Sequence, residues 1–329
     1  MAYPKHYNGH KFFNTVPTAL NTGSMPAILW KFLTYKGKRT PPGPLGPFPV
    51  SKAALSETPS QELQFTWLGH SGYLLELEGT RLLVDPVFAH RASPFPFMGP
   101  HRFFPSPVLP QELPPLSAVV LSHDHYDHLD RHLMKYLANI APRFICPLGV
   151  NKHLEKWGVP AEKITILDWG QNTSVNGLTL TSTPARHFSG RWLKRDNTLW
   201  SSYVLQGKDS TVFIGGDSGY FPGFKEIGEQ FGPFDLTILE IGASDPHWPD
   251  IHMGPAKALQ AHLDLKGRIM LPVHWGTFNL AFHDWDEPAE TIIKLAAEKG
   301  VKLWLPVPGV TGQLPLENNI SYWWRNIKQ

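Results

Sequence analysis

The chain has 329 residues, 42% of them hydrophobic and 18% charged, which suits a folded protein with a sizeable core and excludes a disordered one. Thirty basic residues against 28 acidic ones leave a net charge of +2 with no block of like charge, so no nucleic-acid partner is expected. A single cysteine, Cys146, excludes an internal disulfide and a cysteine-built zinc site.

The N-terminus lacks the basic start and apolar run of a secretory signal, which sets the expectation of a cytoplasmic protein. Residues 1–60 read as an extension rich in Tyr, Pro and Gly, with Pro41-Pro42-Gly43-Pro44 marking irregular chain. Within it, Met25 to Leu33 is expected to form a short surface helix. The uncharged stretch from Phe12 to Trp30 is interrupted by Asn14, Pro17, Asn21, Gly23 and Pro26, so it is a poor membrane span. Its aromatic character suits a peripheral membrane contact or a contact between copies of the chain, and the oligomeric state stays open.

Residues 61–329 read as one domain. Phe65–Leu68, Tyr73–Leu77 and Arg81–Val84 are predicted strands, the second turn carrying Glu78-Gly79. The segment Ser93 to Pro115 packs eight prolines among Phe95, Phe97, Met98, Phe103 and Phe104. It is either a rigid loop with its aromatics in the core or an apolar rim beside a site. Ala118–Leu121 is a short buried strand, followed by an amphipathic helix over Asp130–Ile140. Further strands are expected at Lys163–Leu167, Leu178–Ser182, Ser202–Leu205, Val212–Ile214, Leu236–Leu239, Ile269–Val273 and Val301–Leu305. Helices are expected at Pro255–Leu263, which opens on a proline suited to a first turn, and at Pro288–Lys299, from its apolar spacing. Two series of strands with helices between them predict a layered α/β protein.

The chemistry lies in Ser122-His123-Asp124-His125-Tyr126-Asp127-His128-Leu129-Asp130, directly after a strand. His123, His125, Asp127 and His128 offer four ligands in one loop, and imidazole with carboxylate suits zinc, manganese or iron. One such histidine alone would be an ordinary surface or core residue. Four together bring no packing benefit and crowd titratable groups. Three more candidates each follow a β-run: His187, Asp217 within Gly215-Gly216-Asp217-Ser218-Gly219, and His274. His252, just ahead of a helix, suits either a substrate contact or a helix cap. His70 and Asp85 read first as purely structural residues, with supporting hydrogen bonds to ligands as the other reading. Trp192, Trp200, Trp275, Trp285, Trp323 and Trp324 read as core or rim aromatics.

The His-x-His-x-Asp-His loop, with His187, Asp217 and His274 in order, resembles the metallo-β-lactamase superfamily over about Thr66 to Leu305. A closer likeness is to the N-acylphosphatidylethanolamine-hydrolysing phospholipase D group. It is carried by Trp67-Leu68-Gly69-His70-Ser71, Asp85-Pro86-Val87-Phe88, Gly216-Asp217-Ser218-Gly219-Tyr220 and Val273-His274-Trp275-Gly276-Thr277-Phe278. The resemblance implies an αβ/βα four-layer sandwich and a binuclear hydrolase, its two divalent ions zinc in the first instance. It implies that His123, His125 and His187 hold the first ion, that Asp127, His128 and His274 hold the second, and that Asp217 bridges them. Hydrolysis would then use a hydroxide shared by the ions, with Asp127, Asp217 and His252 as catalytic residues. The implied substrate is a small or lipid-like phosphodiester. This chain departs from the group at Ser244 and His247, where a tyrosine and an arginine are usual, and at Glu240, where a proline is common. Loss of an arginine suited to a phosphate keeps a lactone or carboxylic ester as the alternative substrate. A metal-binding protein without turnover is the third reading.

Overall fold

Alternation of side chains along the first strands already separates two apolar layers. Tyr73, Leu75 and Leu77 enter one buried cluster while Leu74 enters another, and Leu82 and Val84 are likewise divided from Leu83. The computed structural model describes residues 5–19, 30–31, 34–52, 55–315 and 320–326. The helix expected over Met25–Leu33 falls largely outside the described residues.

The first half of the chain supplies β1 (Gln64–Gly69), β2 (Gly72–Leu77), β3 (Thr80–Val84), β4 (Ala118–Val120), α1 (Arg131–Ile140), β5 (Phe144–Pro147), α2 (Asn151–Lys156) and β6 (Ile164–Leu167). The second half supplies β7 (Asn172–Val175), β8 (Leu178–Thr183), a small ribbon of β9 (Gly190–Arg191) and β10 (Lys194–Arg195), β11 (Ser202–Gln206) and β12 (Thr211–Ile214). It continues with α3 (Gly223–Phe231), β13 (Phe234–Glu240), α4 (Gly254–Asp264), β14 (Gly267–Val273), α5 (Glu287–Lys299), β15 (Lys302–Leu303) and β16 (Thr311–Gln313). Two seven-stranded sheets result, in the orders β16-β1-β2-β3-β4-β5-β6 and β15-β14-β13-β12-β11-β8-β7. In each, antiparallel strands pass into parallel ones, at β3–β4 and at β12–β13. The larger core fills the space between the sheets, where Phe65, Trp67 and Tyr73 join Tyr203, Phe213 and Ile238, and it reaches Ala258 of α4 and Ile292 of α5. The smaller core lies between the outer face of the first sheet and α1, through Leu133, Met134 and Leu137. Helices outside two facing sheets make the four layers that the family resemblance implied.

Local chemistry sets the boundaries. The hairpin between β2 and β3 turns on Glu78 and Gly79, both at positive φ (48° and 71°), as a two-residue turn matched to strand twist requires. Asp130 caps α1 by accepting from His132 N and Leu133 N, so the predicted helix begins one residue later. Gly300, at φ 67°, ends α5. The strand expected over Val301–Leu305 is confined to Lys302–Leu303.

The Pro/Phe-rich segment divides between its two readings. Phe104 is buried, whereas Phe97 and Met98 stand exposed. Of the tryptophans singled out, Trp200, Trp275, Trp285, Trp323 and Trp324 are buried and Trp192 is exposed. Among the described residues no helix is long and apolar enough to cross a membrane.

Candidate metal centre

Both sheets deliver their chemical residues at the carboxyl ends of strands. His123 follows β4, His187 follows β8, Asp217 follows β12 and His274 follows β14. The four are buried, as is His128, while His125 and Asp127 are half-buried and form the open side. All seven sequence-predicted residues therefore meet in one place.

They fall into two separate sets, the second completed by His70. Ligand atoms of His123, His125, His187 and Asp217 lie within 4.8 Å of one another, and so do those of His70, Asp127, His128 and His274. Asp217 Oδ2 stands between the sets, 3.1 Å from Nε2 of His128, 3.1 Å from Nε2 of His274, 3.8 Å from Nε2 of His187 and 3.9 Å from Nε2 of His123. Asp127 Oδ2 lies 3.5 Å from His274 Nε2 and 3.9 Å from His128 Nε2.

The outward nitrogens are already spoken for, which aims the others inward. His123 Nδ1 contacts Ser122 Oγ at 2.9 Å, His128 Nδ1 donates to Asp85 Oδ2 at 2.9 Å, and His187 Nδ1 donates to the Ile251 carbonyl at 2.9 Å. The Nε2 atoms of His123 and His187 then approach His125 Nδ1 at 2.9 and 3.2 Å. Three ring nitrogens meeting so closely can share at most one proton, and lone pairs left facing one another need a cation between them. Asp217 Oδ1 is buried without a hydrogen-bond partner, and the buried His128 Nε2 and His274 Nε2 face the carboxylate oxygens of Asp217 and Asp127. The donor set therefore fits divalent metal.

Electrostatics point the same way. Burial holds His123, His125 and His187 below the ordinary imidazole range, so they are neutral and able to ligate. Burial opposes charge on His128 and His274 too, but the carboxylates of Asp217 and Asp127 outweigh it, lifting His128 well above its usual value and His274 to about 10. Against burial, these imidazoles hold both carboxylates well below the usual range. The carboxylates of buried Asp217 and half-buried Asp127 thus call for positive charge between them, which metal ions provide.

A supporting shell surrounds the cluster. Asp85 accepts from Ser122 N at 2.7 Å and Ser122 Oγ at 2.5 Å as well as from His128. His70 Nε2 donates to Asp127 Oδ2 at 3.0 Å. Asp85, His70 and His274 sit at positive φ (38°, 56° and 63°), a conformation side-chain-bearing residues adopt rarely and keep where function fixes it. Asp124, the remaining acid of the loop, points away and accepts from Gly190 N and His153 Nε2.

His252 does not cap α4, whose first turn has no side-chain cap. Its Nδ1 donates to Glu240 Oε2 at 2.7 Å, and the ring borders a cavity of about 500 Å³ with Lys31, Tyr35, Ser244 and Phe282. Glu240 is fully buried, accepts also from Met253 N and Ser218 N, and burial raises its pKa. Its supporting place was not read from the sequence, where the signal is one carboxylate ending the apolar strand Leu-Thr-Ile-Leu-Glu. Asn14, also missed, holds His187 from 173 residues away.

Known proteins similar to this chain identify its family. A beta-lactamase superfamily domain model matches residues 80–275. An uncharacterized protein of Mycobacterium tuberculosis is 42% identical over 97% of this chain and 87% of its own length. N-acyl-phosphatidylethanolamine-hydrolyzing phospholipase D 1 of Caenorhabditis elegans is 38% identical over 70% of this chain and 68% of its own. Among solved structures, a metallo hydrolase from Ignicoccus hospitalis shares the fold, with a TM-score of 0.59 and 22% identity over 78% of this chain and 99% of that one. The chain belongs to the beta-lactamase superfamily and is a metal-dependent hydrolase of the metallo-β-lactamase fold.

Proposed function

We propose that the chain is a two-metal hydrolase. His123, His125 and His187 hold one divalent cation, Asp127, His128 and His274 hold the other, and Asp217 serves both. The observation that carries this reading is Asp217 Oδ2, placed 3.1–3.9 Å from four imidazole nitrogens of the two sets. Five histidines and two aspartates suit zinc first, and manganese or iron would be served by the same donors. Such a cation pair supplies an activated water and counter-charge for the oxygen that gains negative charge. The rest falls to the protein. Asp127, fixed by His70 and half-exposed, is placed to orient the attacking water. His252, fixed by Glu240 through Nδ1, keeps Nε2 for substrate or leaving group beside the cavity. Residues 61–329 form the hydrolase domain in this reading, and residues 1–60 an extension that contributes buried Leu45 and half-buried Phe48 to the core.

The substrate is a phosphodiester, lipid-like in character, a reading supported by the 38% identity to the nematode phospholipase D. One observation favours a lactone or carboxylic ester instead. Among the described residues that line the cavity beside His252 there is no arginine, Lys31 and Lys257 being its full cations. Ser244 lines that cavity, and His247 is tied through Nδ1 to Asp245. Hydrolysis of a phosphodiester and a lactone by the zinc-loaded protein, with Asp217→Asn as control, decides between them. Preference for the phosphodiester, lost in the variant, supports the first reading. Preference for the lactone keeps the metal centre and moves the chemistry to carbon.

A further inference from the structure

Away from the metal centre, the ribbon of β9 and β10 ends in an unusual tip. Trp192 and Leu193 are 67% and 90% exposed, and Phe97 and Met98 of the Pro/Phe-rich loop are 76% and 56% exposed. They form one patch, because the Phe95 ring lies 5.5 Å from Trp192 and 5.6 Å from Phe97. A contiguous apolar patch of this kind costs solubility and marks a contact surface.

Its surroundings are basic. A cavity of about 500 Å³ between the two loops is bordered by Trp192 and by Arg91, Arg131, Lys156 and Arg191. Among the described residues lining it, the one carboxylate is Asp130, already committed to capping α1 and to accepting from Phe88 N and Ala89 N. Lys194 and Arg195 add exposed cations on the ribbon itself. The ribbon is also braced against the ligand loop. Gly190 N donates to Asp124 Oδ1 at 2.7 Å, Arg191 Nη1 donates to the carbonyls of Asp124 and Leu129 at 2.8 Å each, and the Arg191 guanidinium lies 4.0 Å from the Tyr126 ring centre.

We propose that this tip docks the protein on an anionic lipid surface, Trp192, Leu193, Phe97 and Met98 entering the interface while the exposed cations Arg131, Lys156, Lys194 and Arg195 meet lipid phosphates. Tryptophan prefers the boundary between hydrocarbon and headgroups, and a narrow two-loop tip ringed by cations suits a bilayer better than a protein groove. Bracing through Arg191 couples docking to the loop carrying His123 to His128. The inference is independent of which bond the metal centre cleaves.

Co-sedimentation of the full chain with vesicles tests it, using phosphatidylcholine alone and a phosphatidylcholine–phosphatidylglycerol mixture. The parent is expected to bind the mixed vesicles and to be released by salt. The double variant Trp192→Ser, Leu193→Ser is expected to bind about tenfold or more weakly, from the apolar area it no longer buries. Lys194→Glu is expected to weaken binding to the mixed vesicles alone by about tenfold. These residues are exposed, and unchanged circular dichroism confirms that the variants fold. Equal binding of parent and variants would overturn the proposal. So would a parent that elutes as a dimer when the double variant elutes as a monomer, since the patch would then belong to a second copy of the chain.

Discussion

Asn14 grips His187 by both sides of its backbone: its Nδ2 donates to the His187 carbonyl at 2.7 Å, and His187 N donates to its Oδ1 at 3.0 Å. The same Oδ1 accepts from Trp200 Nε1 at 3.1 Å. An N-terminal residue thus fixes the height at which His187 enters the cluster. Asn14→Ala is expected to lower stability by about 2 kcal/mol, since each net hydrogen bond contributes roughly 0.5–1.5 kcal/mol and a buried donor loses its partner. Urea unfolding measures that loss. Metal titration is expected to show weakened occupancy of the His123–His125–His187 set, with the second set spared.

Asp85 binds no metal in this account yet holds three groups, Ser122 N, Ser122 Oγ and His128 Nδ1. Asp85→Ala frees the His128 ring to rotate and to choose the other tautomer. Removing such an orienting carboxylate typically weakens metal binding by about 10–100-fold. Competition with a chelator is the measurement, and undiminished affinity would show that His128 is positioned by packing alone.

His262 supplies a pH-dependent element remote from the cluster. It is buried on α4, its Nδ1 2.7 Å from Thr237 Oγ1, and burial lowers its pKa to about 4. The unfolded chain therefore binds the proton that the folded chain refuses between pH 6.5 and about 4. Stability is lost as pH falls through that window, by an amount on the order of 3 kcal/mol if the full shift is expressed. His262→Gln is expected to flatten the fall relative to the parent. Chemical denaturation at several pH values gives the comparison, and parallel curves for the two proteins would contradict it.

The cluster of histidines and aspartates was legible in the sequence because its residues are dense in one loop and otherwise stand directly after apolar strands. Glu240, Ser122 and Asn14 were not legible as supports, since their roles depend on which side chains the folded sheets bring near them. The same distinction runs through the fold. The strands of the larger core announce themselves by apolar runs, whereas β7 is Asn-Thr-Ser-Val and β16 is Thr-Gly-Gln, edge strands with little buried surface to pattern. Helix α3 was hidden by Gly223 and Gly228, poor helix formers. Gly228 is nonetheless required there, because a side chain would strike the Asp264 carbonyl at 2.1 Å where α3 meets the end of α4. Val301–Leu305 looked like a longer strand because its apolar residues continue into buried Trp304, whose N–H still donates to Met270 of β14, and Leu305, which bridges to Ile320 instead.

Everything in the functional account turns on Asp217 standing between two cations. The most direct test is metal content per chain, measured by elemental analysis after dialysis of the zinc-loaded parent and of Asp217→Asn. Two ions are expected in the parent, and in the variant a loss of metal that accompanies loss of hydrolysis, because the charge shared by both ions is gone. Two ions and full turnover retained by Asp217→Asn would contradict it.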